Sequence, residues 1–112
     1  MRKQIETYIP KAMEAIVQTG ISNEQGEVSK QFNGYIASFG ASIRSAGLLA
    51  TVLFYQNEQS KSEKDRTKVV KAIEYIIGHS IIEDGYVSKD TRAKVEDAAV
   101  ALKLSIRTFK LV

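Results

Sequence analysis

At 112 residues and 44% hydrophobic side chains, the chain can bury one core but not two, and it is too apolar for wholesale disorder. It contains no cysteine, which excludes a disulfide scaffold and a thiolate zinc site and fits a reducing cytoplasm. Sixteen Lys or Arg against thirteen Asp or Glu leave a net charge of +3 and a pI near 9.2, a mild bias toward an anionic partner.

The N-terminal MRKQIETYIPKAME carries charge throughout and lacks the apolar core of a secretory leader. Runs such as GLLATVLFY are far shorter than the ~20 residues needed to cross a bilayer. A soluble, cytoplasmic protein with no membrane contact is expected. Ile5, Ile9, Ala12, Met13 and Ile16 share a helical face over residues 3–19. Pro10 interrupts them, so the first helix either begins near Thr7 or starts near Lys3 with Pro10 inside; the common phase of Ile5 and Ile9 favours the second. Gly20 closes it, and ISNEQGEV forms a polar loop.

The stretch from Lys30 to Tyr55, KQFNGYIASFGASIRSAGLLATVLFY, reads as the centre of the fold. At ~100° per residue, Phe32, Tyr35, Ile36, Phe39 and Ile43 line one side of a helix, and Gly34, Ser38, Ala41 and Ser45 line the other. Each internal glycine costs about 1 kcal/mol relative to alanine. Gly34 and Gly40 therefore call for the close approach of a neighbouring helix or of a ligand. Gly47 ends this helix at about Ala46, and residues 48–57 form a very apolar one bent sharply against it. QNEQSKSEKD is an exposed connector. A fourth helix over 63–77 turns Val69, Val70, Ile73, Ile76 and Ile77 inward and Lys64, Lys68, Lys71 and Tyr75 outward, ending at Gly78. A turn around Asp84-Gly85 follows. Ser88 then caps a last helix reaching about Lys110, with Val95, Ala98, Leu102, Ile106 and Phe109 inward. Nothing alternates at period two, so no strand is expected. The expected architecture is all-α, a single-domain bundle of about five helices over residues 1–112, without a sheet.

Catalytic chemistry is absent from the pattern. His79 is the one histidine and sits in a loop, where a surface or capping role suits it. No HExxH, phosphate-loop, GxGxxG or GxSxG spacing occurs. Glu83-Asp84 falls in a turn and Glu96-Asp97 on an exposed helical turn, where adjacent carboxylates diverge by ~100°. No metal site, cofactor or catalytic residue is expected.

Binding chemistry is present. Lys64, Lys68 and Lys71 rise along one helical stripe beside Tyr75, and Lys103, Arg107 and Lys110 repeat that spacing on the last helix. Lys30 and Arg44 share a side of the central helix next to its small residues. Rows of cations on rigid helices suit a phosphate backbone, whose attraction is independent of base sequence. Each row also has an ordinary reading, as the solvated face of an amphipathic helix or as cations favoured near a helix C-terminus. Val100, Leu104 and Leu111 lie off the main apolar face of the last helix. They are candidates for a protein contact, or for cover by the first helix.

The central stretch also resembles a known motif. Ser38, Phe39, Gly40, Ile43, Gly47 and Leu48, followed by Thr51, Leu53, Phe54 and Tyr55, are similar to the central motif of the small α-helical subunit of the type III-B CRISPR effector, the Cmr RAMP complex. The likeness is specific over about residues 30–55. At the C-terminus IRTF matches in part: Arg107 and Phe109 fit the basic-basic-Phe run of that family, the preceding Trp is absent, and Thr108 replaces the second basic residue. The small subunit of the type III-A complex fits this motif less well.

The resemblance implies a non-catalytic subunit that stacks in several copies beside the backbone RAMP subunits and the large subunit. There it would contact the backbone of the duplex between crRNA and target RNA. On that reading Lys30, Arg44, Lys64, Lys68, Lys71, Lys103, Arg107 and Lys110 are the candidate RNA contacts. Two rival readings are a helical protein–protein adaptor that touches no nucleic acid and a small helix-turn-helix DNA-binding regulator. The second is disfavoured because LLATVLFY is too apolar for a groove.

Overall fold

Periodic burial in five segments builds the fold. The computed structural model describes residues 3–57 and 65–112. In chain order the elements are α1 (Lys3–Gln18), β1 (Glu27–Val28), α2 (Lys30–Ala46), α3 (Leu48–Gln56), α4 (Thr67–Ile77), α5 (Lys89–Ile106) and β2 (Lys110–Leu111). The radius of gyration, 13.0 Å, is that of a compactly folded chain of this length, about 13 Å. The all-α expectation holds, with one small correction. β1 and β2 pair in parallel, setting Glu27 opposite Lys110 and Val28 opposite Leu111.

α1 starts at Lys3 and carries Pro10 within it. Proline has no N–H for the carbonyl of Glu6, and both residues are exposed, so water can take that bond. The buried face is Ile5, Tyr8, Ala12, Ala15 and Ile16. It is rotated from the expected one: Ile9 is only partly buried and Met13 is exposed.

Ser29 caps α2 through its hydroxyl, which accepts from the N–H of Gln31 at 3.2 Å. Phe32, Ile36, Phe39 and Ile43 point into the core. Gly47, at φ 91° and ψ 158°, turns the chain into α3. The corner is tied by three side-chain bonds. The hydroxyls of Ser42 and Thr51 lie 2.7 Å apart, Thr51 donates to the Gly47 carbonyl at 2.8 Å, and Tyr55 donates to the Tyr35 carbonyl at 2.7 Å. The Tyr55 ring meets Phe39 edge-on at 5.1 Å between centroids, and burial raises the pKa of its hydroxyl.

α4 begins at Thr67, later than expected; residues 63 and 64 lie outside the described residues, and 65 and 66 are not helical. Asp65 accepts from the Thr67 hydroxyl and from its N–H, 2.9 Å away, which holds the Asp65 carboxyl below its ordinary pKa. Gly78, in the left-handed conformation, stops the helix.

α5 is the hub, packing on α1, α2 and α4. The central place expected for residues 30–55 belongs to it instead. Ala98, Ala99 and Ala101 are buried along α5, and such short side chains let neighbouring helices approach closely. α5 ends at Ile106 rather than near Lys110, because the chain turns at Thr108 and extends into β2. The Thr108 hydroxyl donates to the Ser105 carbonyl at 2.7 Å, and the Val112 N–H donates to Val28 at 2.9 Å. These bonds clamp the last residues against the start of α2, where the Lys30 N–H donates to the Val112 carbonyl at 3.2 Å.

Candidate nucleic-acid interface

The outer face of α2 holds Lys30 and Arg44, separated by about 21 Å of helix at 1.5 Å per residue. Between them Gly34, Ala37, Ser38 and Ala41 are exposed. The glycines are not there for a packed helix: a Cβ built on Gly34 or Gly40 meets nothing within 4 Å. The expectation of a close neighbour is therefore corrected. The glycines leave open space at the surface.

Beside this face runs a groove of about 240 Å³ between α2 and α5. Ile36, Ala37, Gly40, Ile43 and Arg44 form one wall, and Glu96, Ala99, Val100 and Lys103 form the other. The groove thus brings together Arg44 and Lys103, two residues far apart in sequence. α5 adds more. Lys89, Arg92, Glu96, Val100, Lys103 and Arg107 recur at intervals of three and four, so they share one helical face, and all are exposed. The cations of that stripe surround a single acid, Glu96. Lys89 and Arg92 were missed by reading the sequence. Their signal is the same periodicity extended toward the helix N-terminus, where the Ser88 cap and the first-turn acid Asp90 mask it.

Other candidates lie elsewhere. Lys68 is half-buried, its ammonium donating to the Gly20 carbonyl at 3.3 Å and standing 6.0 Å from the Phe32 ring centroid. Lys71 is exposed on α4 near Tyr75, whose hydroxyl donates to Glu14 of α1 at 3.0 Å. Lys110 is exposed in β2, and Lys64 lies outside the described residues. Of the apolar candidates, Val100 is exposed in the groove, while Leu104 and Leu111 are half-buried against the chain's own core.

Among the described residues the acidic and imidazole groups form no catalytic constellation. His79 Nδ1 lies 2.9 Å from the Ser80 carbonyl and 3.6 Å from Glu83. Glu96 is exposed, but Asp97 is buried, correcting the expectation that both sit on an exposed turn. Together with burial, the nearby charge of Asp97 raises the pKa of Tyr8. Among the described residues no cluster of His, Cys, Asp or Glu could hold a metal ion, and no helix is long and apolar enough to cross a membrane.

Fold and surface define a small all-α protein with a basic face on two adjacent helices. Comparison with known families makes this specific. The chain belongs to the Cas_Cmr5 family of CRISPR-associated proteins, the small subunits of the type III-B Cmr complex; the family model matches residues 6–106. No curated protein and no solved structure matches. Members of this family are generally non-catalytic structural subunits.

The motif that carries the family likeness is mainly a packing motif. Phe39, Ile43, Leu48, Thr51 and Tyr55 are buried at the α2–α3 corner. Leu53 and Phe54 are exposed, and the Arg66 guanidinium lies 4.4 Å from the Phe54 ring centroid.

Proposed function

We propose that this chain is a structural, RNA-contacting subunit of a cytoplasmic type III-B effector. It stacks in several copies beside the backbone and large subunits and holds the crRNA–target RNA hybrid through its phosphates. The observation that carries this reading is the basic face of α2 and α5, where Lys30, Arg44, Lys89, Arg92, Lys103 and Arg107 are exposed. Lysines and arginines on rigid helices attract a regular row of anions without reading bases. A few contacts per copy suffice when many copies engage one strand, since linked sites add by effective concentration. Stacking copies make heterologous contacts that need not close into a ring. Lys68, Lys71, Lys110 and Lys64 remain secondary contacts in this proposal, and Val100, Leu104 and Leu111 contacts to neighbouring subunits.

Charge reversal of Lys30 and Arg44 together tests the assignment. Capture of target RNA by the assembled complex should weaken, with assembly itself intact by gel filtration. Undiminished capture would remove both residues from the interface.

A further inference from the structure

The apolar floor of the α2–α5 groove is left unexplained by phosphate contacts alone. Phosphates require cations, yet Ile36, Ala37, Ile43 and Ala99 line the middle of the basic face, with open space over Gly40. Its volume, about 240 Å³, falls below the ~300 Å³ at which pockets for drug-sized ligands begin, so it suits one ring rather than an extended molecule. Arg44 stands on one wall and Lys103 on the other. An occupant with an apolar flat body and an anion on each side satisfies all of these features. A nucleotide within a single strand is such a body. In a continuous duplex the base is stacked and paired, and extracting it is unfavourable; an unpaired base has little to lose.

We propose that the groove receives the base of one unpaired RNA nucleotide while Arg44 and Lys103 hold the phosphates on either side of it. This rests on the RNA-contacting reading above and goes beyond it, because a duplex backbone has no use for the floor. Glu96 then has a role as well. A carboxylate among cations weakens phosphate binding, but on a groove wall it accepts a hydrogen bond from an exocyclic amino group. Cytosine and adenine carry one, whereas uracil does not. The groove therefore favours an amino-bearing base.

The test uses the purified full-length protein at low ionic strength and fluorescein-labelled RNAs: oligocytidylate, oligouridylate, and an oligouridylate–oligoadenylate duplex. Gly40→Leu fills the groove without changing charge, at a helical position where an added Cβ meets nothing within 4 Å. Circular dichroism melting checks that each variant folds. Wild type should bind oligocytidylate more tightly than oligouridylate and more tightly than the duplex. In Gly40→Leu, oligocytidylate binding should fall about tenfold, as expected when the base loses its apolar contact with the floor, and the preference over duplex should vanish. Glu96→Gln, whose amide oxygen still accepts, should keep the cytosine preference, while Glu96→Ala should lose it.

Equal binding of single strand and duplex, unchanged by Gly40→Leu, would overturn the groove assignment and leave the phosphate reading standing. Binding of none of the three RNAs by folded wild type would overturn the groove assignment, and undiminished target capture by the assembled complex after charge reversal of Lys30 and Arg44 would overturn the phosphate reading. RNA binding unaffected by Gly40→Leu but loss of assembly with partner subunits would give the groove to a protein side chain instead.

Discussion

Gly40 and Gly47 are the same residue under opposite demands. Gly40 has an ordinary helical backbone and empty space where a Cβ would stand. Its cost is therefore only that of a flexible residue in a helix, and Gly40→Ala should raise stability by about 1 kcal/mol. Gly47 occupies φ 91° and ψ 158°, a region essentially closed to residues with a Cβ. Gly47→Ala should destabilise the fold by about 1–3 kcal/mol although nothing lies within 4 Å of the added atom. Thermal melts of both variants should move in opposite directions; parallel shifts would show that the backbone angle at Gly47 is not what fixes the corner. The sequence already sets the two apart, Gly47 as a helix stop and Gly40 as a point of close approach; the first holds in the structure, and the second gives way to open space. Only empty volume separates a close approach from an opening.

At the scale of elements, the sequence revealed helices well and their neighbours poorly. α2 was legible from Phe32, Ile36, Phe39 and Ile43, because large apolar side chains at intervals of three and four mark a buried face on their own. The part played by α5 was obscured by its alanines. Ala98, Ala99 and Ala101 contribute little apolar area, yet all three are buried, and they lie on the helix that packs most extensively against its neighbours. A hub built from small residues is sensitive to added volume. Ala98→Leu, at a fully buried position, should cost about 1–3 kcal/mol by overpacking, read as a lower denaturation midpoint in urea. A neutral result would mean the helices around α5 can move apart freely. The β1–β2 pair was invisible for a different reason: two residues cannot show alternation, and their pairing joins positions distant in sequence.

For the whole molecule, net charge is a poor guide and placement a better one. A surplus of +3 on 112 residues is ordinary, but Lys30, Arg44, Lys89, Arg92, Lys103 and Arg107 are concentrated on two adjacent helices with Glu96 the lone acid on the α5 stripe. Four of these six residues, Lys30, Arg44, Lys103 and Arg107, were legible as separate basic groups. The assembly of this candidate interface from two helices was not, since only packing sets Arg44 across a groove from Lys103. Salt gives this arrangement a quantitative consequence. Each phosphate neutralised on a single strand contributes about −0.7 to the slope of log affinity against log salt. Should all six cations engage, the slope approaches about −4. Replacing Lys89 and Arg92 with glutamine should make it shallower by about 1.4, with affinity weakened for every RNA sequence alike. Fluorescence anisotropy titrations across a salt series measure this directly. A slope unchanged by the double substitution would confine the RNA to the Arg44–Lys103 end of the face, and a slope near zero in the wild type would favour an adaptor whose basic helices are merely solvated.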